Sequence, residues 1–177
     1  MEGRYTAVAR WLHWIIAILV IWNIASGIAH EGLPRDESAV VMDLHKSVGV
    51  TILALVLLRF LWRLGHKPPA LPAGMTPWQA RLAHITHWTL YALMVVLPIT
   101  GWLFVSAGPT MLQRPFQWFG LFDLPRSGLA RTDPITGIAH ISHVLLGFLM
   151  AALVLMHIAA VFWHQFGRKD DLIRRMW

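Results

Sequence analysis

The chain has 177 residues, of which 56% are hydrophobic and only 14% are charged, and its formal net charge is +6. An ordinary soluble domain is about 45–50% apolar and about 25% charged, so this composition excludes a typical soluble protein and indicates an integral membrane protein. Because the sequence contains no cysteine, it also excludes disulfides, thiolate zinc sites, iron–sulfur clusters and covalently attached c-type haem.

Four apolar segments follow one another along the chain, and each is close to the length of about 20 residues that a membrane-spanning helix needs. We therefore predict an all-α, integral membrane four-helix bundle that forms one domain over residues 1–177. The predicted spans are about 8–30, 40–64, 80–105 and 138–165. The residues expected to begin these helices are Thr6, Asp36, Thr76 with Pro77, and Asp133 with Pro134.

The first apolar segment has an alternative interpretation as a cleaved signal peptide, since Arg4 and Arg10 precede it. Signal peptides have apolar cores of about 7–15 residues that end at a small-residue cleavage site. This segment runs from Trp11 to Ala29 and includes three tryptophans and a histidine, so we predict a retained helix.

The positively charged residues are unequally shared between the two sides of the predicted bundle. The side with both termini holds ten of the 15 lysine and arginine residues, and the other side holds five. Because cytoplasmic loops are enriched in these residues, we predict that both termini face the cytoplasm. A nucleic-acid partner is not expected, because the sequence offers no basic face free of the membrane.

Four of the ten histidines have matched depths in the predicted helices. His143 and His157 are fourteen residues apart, which places them only about 40° apart on one helix face and about 21 Å apart along it. His45 matches the depth of His143 near the outer surface, and His13 matches His157 near the inner surface. We therefore predict two bis-histidine sites stacked across the membrane.

The histidine pairs favour axial ligation of two b haems, because imidazoles from facing helices occur here without cysteine or a carboxylate cluster. Arg59 and Arg63 at the inner end of the second helix are candidate partners for haem propionates, and Lys46 is a candidate at the outer end. The glycines near the ligands that we expect to leave room for the macrocycle are Gly49, Gly137 and Gly147.

Other histidines leave alternatives open. His140 competes with His143 for the outer site, although it is seventeen residues from His157 and therefore about 100° away around the helix. His87 competes with His13 for the inner site. The side chains that we interpret as belonging to the inner haem or to a quinone site are His84, His87 and His164.

Short segments along nearly the whole chain carry a family resemblance. They are Trp11 to Trp14, Leu44 to Gly49, Leu58 to Arg63, Leu82 to His87, Leu97 to Gly101, His143 and His157 with their spacing, and Lys169 to Asp171. In these segments the sequence resembles the bacterial cytochrome b561 family, which consists of small four-helix dihaem membrane proteins. Related chains are the cytochrome b subunits of hydrogenases and formate dehydrogenases.

The resemblance implies two b haems, one held by His45 and His143 on the outer side and one by His13 and His157 on the inner side. It also implies a place in the bacterial inner membrane and electron exchange with the membrane quinone pool, with ubiquinone as the expected substrate. Some members of the family resemble superoxide:ubiquinone oxidoreductases.

We therefore predict a quinone-linked oxidoreductase whose partners are membrane lipid, quinone, and superoxide or a periplasmic redox protein. A small anion such as superoxide is expected to be attracted by the cations of the outer side, which are Lys46, Arg114, Arg126 and Arg131. One alternative is a membrane-anchor subunit of a periplasmic dehydrogenase or hydrogenase. An alternative of another class is a histidine-lined metal transporter, which would need carboxylates at mid-membrane that the predicted spans do not contain.

Overall fold

The structure, a computed structural model, describes residues 3–70, 74–108, 116–170 and 172–177. The long helices are α1 (Ala7–Ala29), α2 (Arg35–Gly65), α3 (Pro77–Val105) and α4 (Pro134–Phe162). Shorter elements are a 3₁₀ turn (His30–Gly32), a π-helical turn (Trp163–Arg168) and α5 (Ile173–Met176). The connection between α3 and α4 contains an antiparallel hairpin of β1 (Gln117–Trp118) and β2 (Phe122–Asp123).

All four long helices are long and apolar enough to cross a membrane. In the bundle, α1 packs against α2, α2 against α3, and α3 against α4. Large apolar side chains such as Leu145 and Leu155 stay 64% and 69% exposed on the outside, as expected for a surface covered by lipid. The residues that form the buried core are Leu12, Ile16, Val20, Val48, Ile52, Leu93 and Met150. The predicted all-α membrane bundle is confirmed.

Three of the predicted helix starts have the expected capping interactions. Thr6 and Asp133 each accept a hydrogen bond from a backbone N–H of the first turn, at 3.3 and 2.8 Å. Thr76 forms a capping box with Gln79, and Pro77 follows as the first helical residue. These bonds satisfy N–H groups that have no partner within the helix, so α1, α3 and α4 begin where the sequence predicts.

The predicted start of α2 is wrong by two residues. The helix begins at Arg35, directly after Pro34, and no side chain caps it. Asp36 and Glu37 lie in the first turn instead. Their negative charge interacts favourably with the positive end of the helix dipole. Acidic residues therefore occur at this helix start although neither of them caps it.

The two ends of the bundle have different structures. At one end, the Tyr5 N–H donates to the Arg175 carbonyl at 3.1 Å, and the Trp14 indole donates to the Met176 carbonyl at 2.7 Å. Residues 3–5 and 172–177 therefore lie together, and we call this the terminus end. Residues 30–34, 106–108 and 116–133 lie at the opposite end, which we call the loop end.

Candidate functional site

Two histidines face each other near the loop end of the bundle. The ring centroids of His45 on α2 and His143 on α4 lie 6.2 Å apart, and the ring planes are inclined by 73°. Both residues are half-buried. The structure thus brings together the two residues that the sequence predicts as the outer pair.

The imidazole of His143 is held by α3. Its Nδ1 atom lies 3.0 Å from the Leu97 carbonyl oxygen and 3.3 Å from the Thr100 hydroxyl. Because a carbonyl oxygen only accepts hydrogen bonds, Nδ1 carries the proton and donates it. The Nε2 atom is then unprotonated, which is the state that binds a metal ion.

The imidazole of His45 is held in a similar way by α1. Its Nδ1 atom lies 3.1 Å from the Ser26 hydroxyl, which donates its own proton to the Asn23 carbonyl at 3.0 Å. Since the hydroxyl has a single proton, Ser26 Oγ accepts the proton of His45 Nδ1. Both loop-end imidazoles therefore adopt the same tautomer, with Nε2 unprotonated.

Two glycines let neighbouring helices approach the loop-end imidazoles closely. A Cβ atom at Gly101 on α3 would lie 3.0 Å from His143 Cε1, and a Cβ atom at Gly27 on α1 would lie 3.1 Å from His45 Cε1. Carbon atoms in favourable contact are about 3.5–4.0 Å apart. A larger residue at either position would therefore displace a ring, so these glycines help to position the pair.

The glycines that the sequence analysis selected are not in contact with the rings. A Cβ atom at Gly49 would have its nearest neighbour at 3.7 Å, in the side chain of Asn23. At Gly137 and Gly147 an added Cβ atom would meet no atom of the described residues within 4 Å. The close contacts to the rings come from glycines of adjacent helices, and the expectation that Gly49, Gly137 and Gly147 leave room for the macrocycle stays a prediction.

Three histidines meet at the terminus end. The ring centroids of His13 and His157 are 6.4 Å apart with planes inclined by 71°, and those of His87 and His157 are 5.4 Å apart with planes inclined by 79°. His87 Nδ1 donates to the Ala83 carbonyl at 2.6 Å, one turn earlier in α3. The structure thus brings together the predicted inner pair and its alternative ligand.

The ring spacings can be compared with the distance that two imidazoles need to bind one metal ion. An imidazole centroid lies about 1.1 Å from each ring nitrogen and a metal–imidazole bond is about 2.0–2.1 Å, so two axial rings have centroids about 6.3 Å apart. The spacings of 6.2 Å for His45 with His143 and 6.4 Å for His13 with His157 match this value. The 5.4 Å spacing of His87 and His157 is too short. Two neutral imidazoles in an apolar bundle are also a suitable donor set for a b haem.

His140 is directed to a different neighbour. Its ring packs against Phe104 at a centroid distance of 4.9 Å, and the residue is exposed. The ring centroid of His143 lies 5.6 Å from that of Phe104 and 6.2 Å from that of His45. His143 is therefore the residue of α4 that faces α2, as its shared helix face with His157 predicts.

A cationic pocket with aromatic walls lies at the terminus end. Arg59 donates to the Tyr91 hydroxyl at 2.9 Å and to the Ala9 carbonyl. The Arg63 guanidinium lies over the rings of Trp88 and Tyr91, at 5.3 and 5.9 Å from their centroids. The residues that line the pocket are Tyr5, Ala9, Arg59, Trp62, Arg63, His66, Pro68 and Tyr91.

The predicted cations of the loop end make local contacts. Lys46 Nζ lies 2.5 Å from the carboxylate of Asp43, three residues earlier in α2. Arg126 donates to the Gly108 carbonyl at 2.9 Å, and the Arg131 side chain packs against the same glycine. Arg114 lies outside the described residues.

The remaining predicted histidines lie nearer the terminus end. His164 is buried, and its Nδ1 lies 2.7 Å from the Asp170 carboxylate, which also pairs with Arg168 at 3.1 Å. His84 is exposed near the start of α3. Of these two and His87, the ring contacts of the described residues bring only His87 against His157.

One family model and several known proteins match nearly the whole chain. The sequence model of a family described as prokaryotic cytochrome b561 matches residues 4–177. Cytochrome b561 homolog 2 of Escherichia coli (strain K12) is 30% identical over 98% of this chain and 90% of its own length. "Probable superoxide oxidase CybB" of Yersinia pestis is 28% identical over 99% of this chain and 97% of its own length. Cytochrome b562 of Cereibacter sphaeroides is 27% identical over 99% of this chain and 96% of its own length.

Proposed function

The chain belongs to the prokaryotic cytochrome b561 family, and we propose that it binds two b haems and carries electrons between the loop end of the bundle and membrane quinone. Family membership establishes a multi-pass membrane cytochrome b with a role in electron transfer. The proposed part consists of the two haems, their ligands, the electron donor and the quinone acceptor.

The observation that carries the proposal is the common ring spacing at the two ends of the bundle. His45 with His143, and His13 with His157, are separated by 6.2 and 6.4 Å, close to the spacing of two axial imidazoles on one iron. Each pair would hold one haem iron, and the loop-end pair would do so through its unprotonated Nε2 atoms. When bound, the haems would supply one-electron transfer across the membrane. Because His143 and His157 both belong to α4, one helix supports both sites.

The protein prepares its loop-end ligands through hydrogen bonds to Nδ1. Ser26 holds His45, and Leu97 with Thr100 holds His143. Such bonds fix the tautomer and the ring orientation and increase the electron donation of the ligand. The site therefore needs little rearrangement of these two side chains to bind a cofactor.

We assign the cationic pocket to the propionates of the terminus-end haem. The pocket adjoins the histidine cluster, since Ala9 lies one turn before His13 on α1 and Tyr91 lies one turn after His87 on α3. The Arg59 guanidinium is already held by Tyr91 and Ala9, so it is positioned to meet a carboxylate. Arg63 and, at the loop end, Lys46 would have the same role.

We assign the terminus end to the cytoplasm and the loop end to the periplasm of the bacterial inner membrane, because the terminus end has ten of the 15 lysine and arginine residues. Ubiquinone would then be reduced at the terminus end, beside His84, His87 and His164. Superoxide is the proposed donor, since a relative that matches nearly the whole chain is named as a probable superoxide oxidase. Two superoxide ions release two electrons and become two O₂ molecules, and one ubiquinone takes these electrons and two protons to become ubiquinol.

The haem content is tested on the purified protein. Pyridine haemochrome measured against protein concentration is expected to give two haems per chain, and acid-acetone is expected to extract all of them. A ratio near one, or haem that stays with the protein after extraction, would contradict the proposal.

The donor is tested separately by stopped-flow reduction with superoxide at two ionic strengths. Reduction is expected to be faster than in an unrelated haem protein, to slow with salt because screening acts over about 8–10 Å, and to be reversed by added ubiquinone. Lys46→Gln is expected to weaken the salt dependence. If superoxide reduces the chain no faster than the control, the anchor subunit of a periplasmic dehydrogenase becomes the better candidate.

A further inference from the structure

A small hairpin lies against α2 at the loop end. Gln117 pairs with Asp123 and Trp118 with Phe122. The Leu121 N–H donates to the Trp118 carbonyl at 2.9 Å and closes the turn. Because an open sheet edge is not tolerated in the hydrocarbon region of a bilayer, only the side chains of such a hairpin can reach the acyl chains.

The hairpin is attached to α2 through two hydroxyl groups. The Ser47 hydroxyl accepts the Phe119 N–H at 3.0 Å and lies 3.2 Å from the Gln117 carbonyl. One turn further into α2, the Thr51 hydroxyl accepts the Trp118 indole N–H at 3.1 Å. The hairpin is thus hydrogen-bonded to two neighbouring turns of α2.

These contacts place the hairpin at the loop-end boundary of the membrane span. Between Lys46 and Arg59, α2 has no charged residue, so the middle of its span lies near Ile52. Ser47 is about 8 Å from this midpoint along the helix, within the half-thickness of about 15 Å of a hydrocarbon core, and the Lys46–Asp43 ion pair directly precedes it. The backbone of the hairpin therefore lies at the boundary between the headgroups and the apolar part of α2.

The turn exposes an apolar surface, whereas the base of the hairpin is polar. Phe119, Leu121 and Phe122 are 45%, 72% and 53% exposed. At the base, Gln117 Nε2 donates to the Asp123 carboxylate at 2.8 Å. The apolar side chains of the turn are therefore available to the acyl chains, while the polar pair can stay with the headgroups.

The backbone of the turn gives an independent indication. Phe119 has φ +49°, a conformation that glycine and asparagine adopt readily and a bulky side chain rarely does. An exposed aromatic residue at such a position gains little in water. Contact with lipid would offset the conformational cost, because about 25 cal/mol is gained for each Å² of apolar surface removed from water.

We propose that this hairpin is an interfacial membrane element, with the side chains of Phe119, Leu121 and Phe122 in contact with the acyl chains of the loop-end leaflet, and with its backbone and the Gln117–Asp123 pair at the level of the headgroups. The occupant of this surface is therefore lipid, and a soluble redox partner would dock elsewhere on the loop end.

The absence of cysteine from the sequence makes a direct test simple, because one introduced thiol is the sole labelling site. A nitroxide label is attached to Leu121→Cys in protein reconstituted into phosphatidylcholine vesicles. Its collision rates with oxygen, which concentrates in lipid, and with a water-soluble nickel chelate are measured by electron paramagnetic resonance. A nitrogen-equilibrated sample corrects for relaxation by haem iron.

Matched labels calibrate the measurement. Leu145→Cys on the exposed side of α4 gives the value expected in lipid. Glu37→Cys in the first turn of α2, outside the apolar part of that helix, gives the value expected in water. We expect Leu121→Cys to favour oxygen over the nickel chelate severalfold, as at Leu145, and Gln117→Cys to give an intermediate ratio. If Leu121→Cys resembles Glu37→Cys, the hairpin lies in water, the proposal is wrong, and its apolar tip is a surface for a soluble protein. This result does not depend on the donor or acceptor of electrons.

Discussion

The ring of His87 lies 5.4 Å from the ring of His157, closer than the 6.4 Å that separates His157 from His13. The ring contacts at the terminus end thus join three imidazoles, whereas those at the loop end join His45 and His143 as a facing pair. His87 is fixed by its own helix through the bond from Nδ1 to the Ala83 carbonyl. Under the proposed function, the spacing favours His13 over His87 as the ligand opposite His157.

We therefore expect His13→Ala and His87→Ala to differ in haem content. Removal of His13 should leave one haem per chain, because the terminus-end iron loses a ligand, whereas removal of His87 should leave two. Pyridine haemochrome of the purified variants measures the difference. If His87→Ala has one haem and His13→Ala has two, the ligand assignment at this end is reversed.

A second prediction concerns α4 at the loop end. His143→Ala should lose the loop-end haem, whereas His140→Ala should keep both, because only His143 faces His45 and His140 packs on Phe104. A potentiometric titration followed at the haem absorption band should show one transition for His143→Ala and two for His140→Ala. Loss of a transition in the His140 variant alone would contradict the assignment.

A third prediction uses the close approach of α3 to the loop-end pair. Gly101→Ala should displace the His143 ring, since the new Cβ atom would lie 3.0 Å from Cε1. We expect reduced loop-end haem occupancy, with a loss on the order of ten-fold in affinity, as for other changes that disturb ligand orientation. Gly65→Ala at the end of α2 is the matched control, because its Cβ atom would meet no described atom within 4 Å and it lies away from the loop-end pair. Equal haem content in the two variants would argue against a positioning role for Gly101.

A fourth prediction concerns the charge of Arg59. A cation near a haem favours the reduced state, so Arg59→Gln should lower the midpoint potential of the terminus-end haem, by on the order of tens of millivolts. The loop-end haem is the internal control, and its potential should change little. Arg59→Lys should restore most of the potential, because it keeps the charge. If the potential of the loop-end haem shifts instead, the assignment of Arg59 to the terminus-end haem is wrong.

The features that the sequence predicted are those set within a single helix. The shared face of His143 and His157 follows from the angle per residue, and the caps at Thr6, Thr76 and Asp133 depend on a few neighbouring residues. Such relationships are local, so they can be derived without knowing how the helices pack.

The features that the sequence analysis missed depend on packing between helices. Gly27 and Gly101 contact the loop-end rings across helix interfaces, and Ser26 orients His45 from a separate helix. The proximity of His87 to His157 depends on the relative rotation of α3 and α4. Helical periodicity fixes none of these distances. A glycine or hydroxyl residue at the depth of each histidine on the neighbouring helices is the signal that would have identified them.

The position of both partner histidines on α4 also constrains how the protein is made. His143 completes the loop-end pair, His157 completes the terminus-end pair, and α4 is the last of the long helices to leave the ribosome. Until α4 has been synthesised and inserted, His13 and His45 lack the facing imidazoles of His157 and His143. Under the proposed function, the nascent bundle would then have no complete haem site, and haem loading would follow translation of all four spans.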